Sequence, residues 1–142
     1  IYFAVSDSYL CGAQNCQWIL FRFDAKSNEL KRLSGEIFGT NVIFFPSPRR
    51  DFVILESQSV AGVCHGSFSL LILDINENQL TEILPESDFD LSYIESVRWI
   101  EENVAEIVTG LKNCSEGGDQ ISLRQIYRYH LVSRKIEKVL QY

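Results

Sequence analysis

The sequence predicts an all-β protein, an antiparallel meander of about eleven strands arranged in repeated four-stranded units. Three observations carry that expectation. Almost every apolar run is short, rich in β-branched and aromatic residues, and closed by turn formers. None extends with helical 3.6-residue spacing for a dozen positions. One strand–turn–strand pattern also recurs three times within the 142 residues.

The elements follow in order. Tyr2-Phe3-Ala4-Val5 is an apolar strand. Trp18-Ile19-Leu20-Phe21-Arg22-Phe23 is a second, which ends at Asp24 before a polar turn and a third strand from Leu30 to Leu33. Val42-Ile43-Phe44-Phe45 and Phe52-Val53-Ile54-Leu55 flank a Pro-containing turn. Leu70-Leu71-Ile72-Leu73 ends at Asp74, and the chain resumes apolar character at Leu80 and Ile83. Only Ser92 to Glu106 tolerates a helix, through its Glu-rich middle; it is read as strands Ile94–Ile100 and Asn103–Val108, joined at Glu101-Glu102. Ile126-Tyr127-Arg128-Tyr129 and a strand through Ile136 and Val139 complete the set.

Repetition organises these elements. Trp18 to Leu33 aligns without gaps on Phe68 to Ile83 at an offset of 50, and Ile126 to Val139 continues the register at a further offset of 56. Val5 corresponds to Leu55 at the same first offset. A further strand precedes the hairpin in the later copies, around Ile43–Phe45 and Val97–Trp99. The expected organisation is one all-β domain over 1–142: a three-strand unit at 1–40 and four-strand units at 41–90 and 91–142.

Four-stranded units at this spacing resemble the blades of Tol-system and prolyl-oligopeptidase-type β-propellers, and more distantly the WD-type ones. The residues that carry the resemblance are Phe45-Pro46-Ser47-Pro48-Arg49-Arg50-Asp51-Phe52-Val53-Ile54, similar to the family's aromatic, Ser-Pro-Asp-Gly and apolar-strand segment, with Asp24 and Asp74 closing the strand before each turn. The sequence departs from the pattern where the Asp-Gly pair is missing and where His130 replaces Asp in the third copy. The resemblance implies propeller-like architecture and no particular activity, because binding proteins, hydrolase lids and enzymes share it. About eleven strands make fewer than three blades, while rings close with roughly four to eight. The expectations are therefore a part of a larger propeller, a homodimer that combines two arcs, or closure as a small β-barrel or β-sandwich.

Charge narrows the partners. The chain holds 13 Lys plus Arg against 19 Asp plus Glu, net −6, and the whole acidic excess lies in residues 1–93. Such a balance argues against nucleic acid and anionic membrane, which need a basic surface. No apolar run approaches a membrane span of roughly 18 to 20 residues. The acidic stretch Glu86-Ser87-Asp88-Phe89-Asp90 reads as a solvated loop or a contact for a basic protein. Arg124, Arg128 and His130 alternate with Tyr127, Tyr129 and Leu131, and cross-strand pairing of Arg128 with Glu106 accounts for them without a ligand.

The cysteines carry the site expectation. There is no Met, the first residue is Ile1 within an apolar run, and Cys11, Cys16, Cys64 and Cys114 make an even count. Together these suggest a cleaved or excised chain in an oxidising, secreted or periplasmic setting with two disulfides, the alternative being a cytoplasmic protein with buried thiols. All four fall in equivalent connections, at 8–17, 58–67 and 111–120, which a repeat projects from one end. Cys11 and Cys16 suit a local bridge, leaving Cys64 with Cys114. A zinc site with His65 is the competing reading, although only one Cys pair approaches zinc spacing.

No catalytic constellation emerges. Adjacent Cys64 and His65 point to opposite faces of a strand, and Gly66-Ser67-Phe68-Ser69-Leu70 lacks the second Gly of a nucleophile elbow. Asp74-Ile75-Asn76-Glu77-Asn78 begins like a calcium loop, but Gln79 stands at its sixth position and Pro85 at its twelfth, so its role is turn-making. Asn113-Cys114-Ser115 fits the N-glycosylation pattern. The sequence reading is a non-catalytic binding module that presents loops to a protein partner, with Gln14, Asn15, His65, Asn113 and Glu116 as polar contacts and without metal or cofactor. The alternatives are the propeller portion of a larger hydrolase and a Cys-based metal-binding protein.

Overall fold

The computed structural model describes residues 1–6, 16–39, 41–60, 66–83, 93–115 and 118–141. Within them the backbone forms strands and turns without helix. The strands are β1 (Tyr2–Ser6), β2 (Cys16–Asp24), β3 (Glu29–Gly39), β4 (Asn41–Pro46), β5 (Phe52–Val60), β6 (Gly66–Asp74), β7 (Gln79–Glu82), β8 (Tyr93–Glu101), β9 (Val104–Ser115), β10 (Gly118–His130) and β11 (Lys135–Gln141). They build three antiparallel meanders: a first sheet β1-β2-β3, a second β4-β5-β6-β7 and a third β8-β9-β10-β11. Each sheet falls within one of the units read from the sequence. None closes into a barrel, because no sheet pairs its two outer strands with each other.

The recurring hairpin is built by the same backbone step three times. Asn28, Asn78 and Arg134 occupy equivalent turn positions with φ of 54°, 53° and 53°. Asn tolerates this left-handed conformation better than most residues. The Asp24 carboxylate accepts from the Lys26 amide at 2.9 Å, and that of Asp74 from Asn76 and Glu77 at 2.9 and 3.0 Å. These Asx turns confirm the turn-making role of the Asp74 stretch. His130 instead reaches across the hairpin to Glu137, 3.2 Å away. The β4–β5 turn is tied by Ser47, whose hydroxyl donates to Asp51 at 2.9 Å and accepts from the Phe52 amide at 3.1 Å. Arg50 takes φ 61° in that turn, where the propeller pattern would place Gly.

The sheets stack face to face in chain order. Leu20, Leu33 and Ile37 of the first sheet pack with Val53, Leu55, Leu73 and Ile75 of the second unit. The opposite face of the second sheet, through Ile54, Leu70 and Ile72, packs with Ile94, Val97, Ala105, Ile107, Tyr127 and Tyr129 of the third. Neighbouring strand residues point to opposite faces, so Val53-Ile54-Leu55 feeds both clusters and is fully buried throughout. The run Val53-Ile54-Leu55 is therefore uninterruptedly apolar because both faces of the second sheet are covered there. In β9 Ala105 and Ile107 enter this cluster, and Glu106 between them pairs with Arg98 instead. Burying one such aliphatic side chain stabilises the fold by about 1.5–3 kcal/mol.

Candidate functional site

The candidate site is the end of the stack from which the Cys-bearing connections depart. Cys16 opens β2 opposite Gly39 of β3. The Trp18 indole donates to the Gly39 carbonyl at 2.8 Å, and the Ser57 hydroxyl donates to the Phe38 carbonyl at 2.5 Å. These bonds bring the Cys16 end of the first sheet against the Ser57–Val60 end of the second. At the opposite pole Arg49, from the β4–β5 turn, pairs with Glu102 from the β8–β9 turn. Arg134 approaches Glu77 at 3.8 Å between equivalent hairpin turns. The strand ends at Ser6/Cys16, Val60/Gly66 and Ser115/Gly118 thus share one pole, and the tight turns share the other.

The placement of the predicted residues differs from one to the next. Gln14, Asn15, His65, Glu116, Cys11 and Cys64 lie outside the described residues. Asn113 and Cys114 lie on β9, in register with Gln120 and Asp119 of β10. The expected loop at 111–120 is thereby shortened, since strands occupy it up to Ser115 and from Gly118. The polar run Lys112-Asn113 reads as loop in sequence, but ladder pairing is made by the backbone and continues without apolar side chains. The described residues contain no group of three or more His, Cys, Asp and Glu placed to hold a metal ion.

At Gly39 the first two sheets approach closely. A Cβ there would lie 2.6 Å from the Gln58 carbonyl oxygen and against the Ser57 hydroxyl. Only glycine allows the loop-side corners of the two sheets to meet this closely.

Towards the same pole the second and third sheets bury polar side chains that the sequence reading missed: Glu56, Thr109 and Gln125. The Gln58 amide donates to the Glu56 carboxylate at 2.5 Å. Desolvation pushes the Glu56 carboxyl above its ordinary range, with the Gln58 bond opposing. Thr109 donates to the Gln125 backbone carbonyl at 3.3 Å, and the Tyr127 hydroxyl donates to the Gln125 side chain. The available signal was Glu56 itself, a carboxylate that directly follows the buried run Val53-Ile54-Leu55. These groups satisfy one another and fix the strands beneath the loop end.

Among the described residues, grooves lie at the turn pole. One lies between the second and third sheets, lined in part by Phe52, Asp74, Thr81, Tyr129 and Arg134. Burial raises the Tyr129 phenol above its ordinary value. Another, open to solvent, lies between the first and second sheets beside Tyr2, Arg22, Asp24, Lys26 and Arg50. The Lys26 and Ser27 amides hold the Asp24 carboxyl below its usual range.

The outer face of the third sheet carries a charge ladder across four strands. Arg98 and Arg128 both lie opposite Glu106, and Glu137 lies opposite Arg128. Arg98 meets Glu106 at 2.7 Å, while Arg124 meets Glu95 at 2.8 Å. The expected cross-strand placement of Arg128 against Glu106 is what the register gives, although the short contact to Glu106 is made by Arg98.

Neither a family model, nor a curated protein, nor a solved structure matches the chain.

Proposed function

We propose that the chain is a non-catalytic binding module of propeller-like build, secreted or periplasmic, whose loop pole engages a protein partner. The observation that carries this reading is the gathering of three equivalent strand ends at one pole of a stack welded at Gly39. Loops on a rigid β framework are a common place for recognition. Two disulfides would hold the connections against one another in an oxidising compartment.

The test is site-directed photo-cross-linking in the native source, with the probe at Gln14 or Asn113 for the loop pole and at Ala25 or Asn76 for the turn pole. One protein adduct shared by the loop-pole probes, and missing from the turn-pole probes, is the expected result. Adducts from the turn pole alone sink the proposal. Intact mass with and without reductant tests the bridges: reduction of two disulfides adds four hydrogens, and an unchanged mass removes them from the reading.

A further inference from the structure

The groove between the second and third sheets holds a polar group that the packing leaves without a role. Tyr129 lines it and is only 4% exposed, yet among the described residues its hydroxyl has no hydrogen-bond partner. Buried hydroxyls are ordinarily bonded, and one that is not calls for a reason. Tyr127, two residues earlier on the same face, is the ordinary case, since its hydroxyl donates to the Gln125 side chain. Burial raises the Tyr129 phenol and the Arg134 charge opposes that, so the guanidinium lies within electrostatic range of the hydroxyl.

Arg134 is itself a departure from the repeat. Its counterparts Asn28 and Asn78 take the same left-handed turn conformation, which Asn tolerates and Arg does not favour. The Arg134 side chain borders the groove and approaches Glu77 only at 3.8 Å. The second sheet supplies the opposite charge. Asp74 lies opposite Phe52 and Gln79, on the face that Ile72 turns toward the third sheet. The Asn76 and Glu77 amides both donate to its Oδ1, which leaves Oδ2 for another donor. Glu82 also borders the groove. Its register opposite Leu71, which packs toward the first sheet, turns its side chain the other way. Ile72, Ile83 and Leu131 give the groove an apolar floor.

We propose that this groove binds a small zwitterion with an apolar side chain, the chemistry of a free α-amino acid. The ligand's carboxylate accepts from the Tyr129 hydroxyl and pairs with Arg134, its ammonium donates to Asp74 Oδ2, and its side chain rests on Ile72, Ile83 and Leu131. Charge decides for a zwitterion. A lone anion would face Asp74 and a lone cation would face Arg134, and like-charge contact penalises each. A few convergent polar groups over an apolar lining are the usual make-up of a small-molecule site. The groove lies at the turn pole, so this site is separate from the protein contact proposed at the loop pole.

Amide chemical-shift titration of the 142-residue chain tests this, with L-alanine, L-leucine and L-phenylalanine as probes up to about 20 mM, enough to saturate a site of millimolar Kd. At least one probe should give saturable shifts at Thr81, Tyr129 and Leu131. The same molecule without its ammonium or without its carboxylate (for leucine, 4-methylpentanoate or 3-methylbutylamine) should bind about tenfold more weakly, the loss of one charge-assisted contact. Tyr129→Phe keeps the ring and removes the hydroxyl. Arg134→Asn removes the guanidinium and installs the residue that the other two hairpins carry, so the turn is kept. Each should weaken binding about tenfold with unchanged far-UV circular dichroism, and Arg98→Ala, on the outer face of the third sheet, should leave it intact. Three probes without saturable shifts, or shifts confined to other residues, overturn the proposal. A half-ligand that binds as tightly as its amino acid, or unchanged affinity in either groove variant, overturns it equally.

Discussion

Gly39→Ala is the sharpest test of how the first two sheets are joined. The added methyl would stand 2.6 Å from the Gln58 carbonyl oxygen, with the Ser57 hydroxyl also in its path. Ordinary carbon–oxygen contact begins near 3.3 Å, so one backbone must retreat by about 0.7 Å. The Ser57 side chain can rotate, but the Gln58 carbonyl is held in the β5–β6 ladder opposite Phe68. Retreat of β3 would also lengthen the 2.8 Å bond from Trp18 to the Gly39 carbonyl and the 2.5 Å bond from Ser57 to the Phe38 carbonyl. Overpacking of this kind costs about 1–3 kcal/mol, and loss of a hydrogen bond a further 0.5–1.5 kcal/mol or so. The expectation is about 2–4 kcal/mol, read as a lower urea midpoint at constant m-value. Ser57→Ala in the same background should restore only part of it, because the Gln58 carbonyl remains. A Gly39→Ala protein within about 0.5 kcal/mol of wild type, the scatter of a neutral surface change, would refute the close approach.

Three further outcomes follow from the packing and the buried acid. Leu55→Ala, at a site with no exposed surface, should cost about 2–5 kcal/mol by urea denaturation, and a value below 1 would contradict its place between the first two sheets. Glu56 binds its proton more tightly in the folded chain than in the unfolded one. Its contribution is therefore fully present below the ordinary carboxylate range and is lost as pH rises through its elevated folded value. Glu56→Gln should raise stability at pH 7 by on the order of 1 kcal/mol and flatten the decline between about pH 4 and 7; a less stable Gln variant at pH 7 would reverse the sign. Asn28→Gly should be neutral or slightly stabilising and Asn28→Ala destabilising by about 1 kcal/mol, since Asn28 has φ 54°; thermal melts that rank them the other way would show the turn to be misread.

The hairpins were legible because their signals are local. Asp24, Asp74 and the polar turns after them organise neighbouring amides, so pattern and offset alone located the strands of all three sheets. The boundaries at 111–120 were not legible, because Asn113 and Cys114 pair through backbone groups that every residue carries. Glu56, Thr109 and Gln125 were missed for a related reason: a polar residue in a strand reads as solvent-facing until the covering sheet is known. The shared pole of the connections followed from repetition, and the contact at Gly39 did not, since it joins residues far apart in the chain that no periodicity relates.

Strand content, meander order and repeat length are written in the chain itself, because turn chemistry and period-two burial act over a few residues. The stacking of the sheets, the charged face at Arg98 and Glu106 and the raised proton affinity of Glu56 arise only when distant strands meet. Solvent exclusion is a property of two surfaces together, and a linear pattern specifies just one of them.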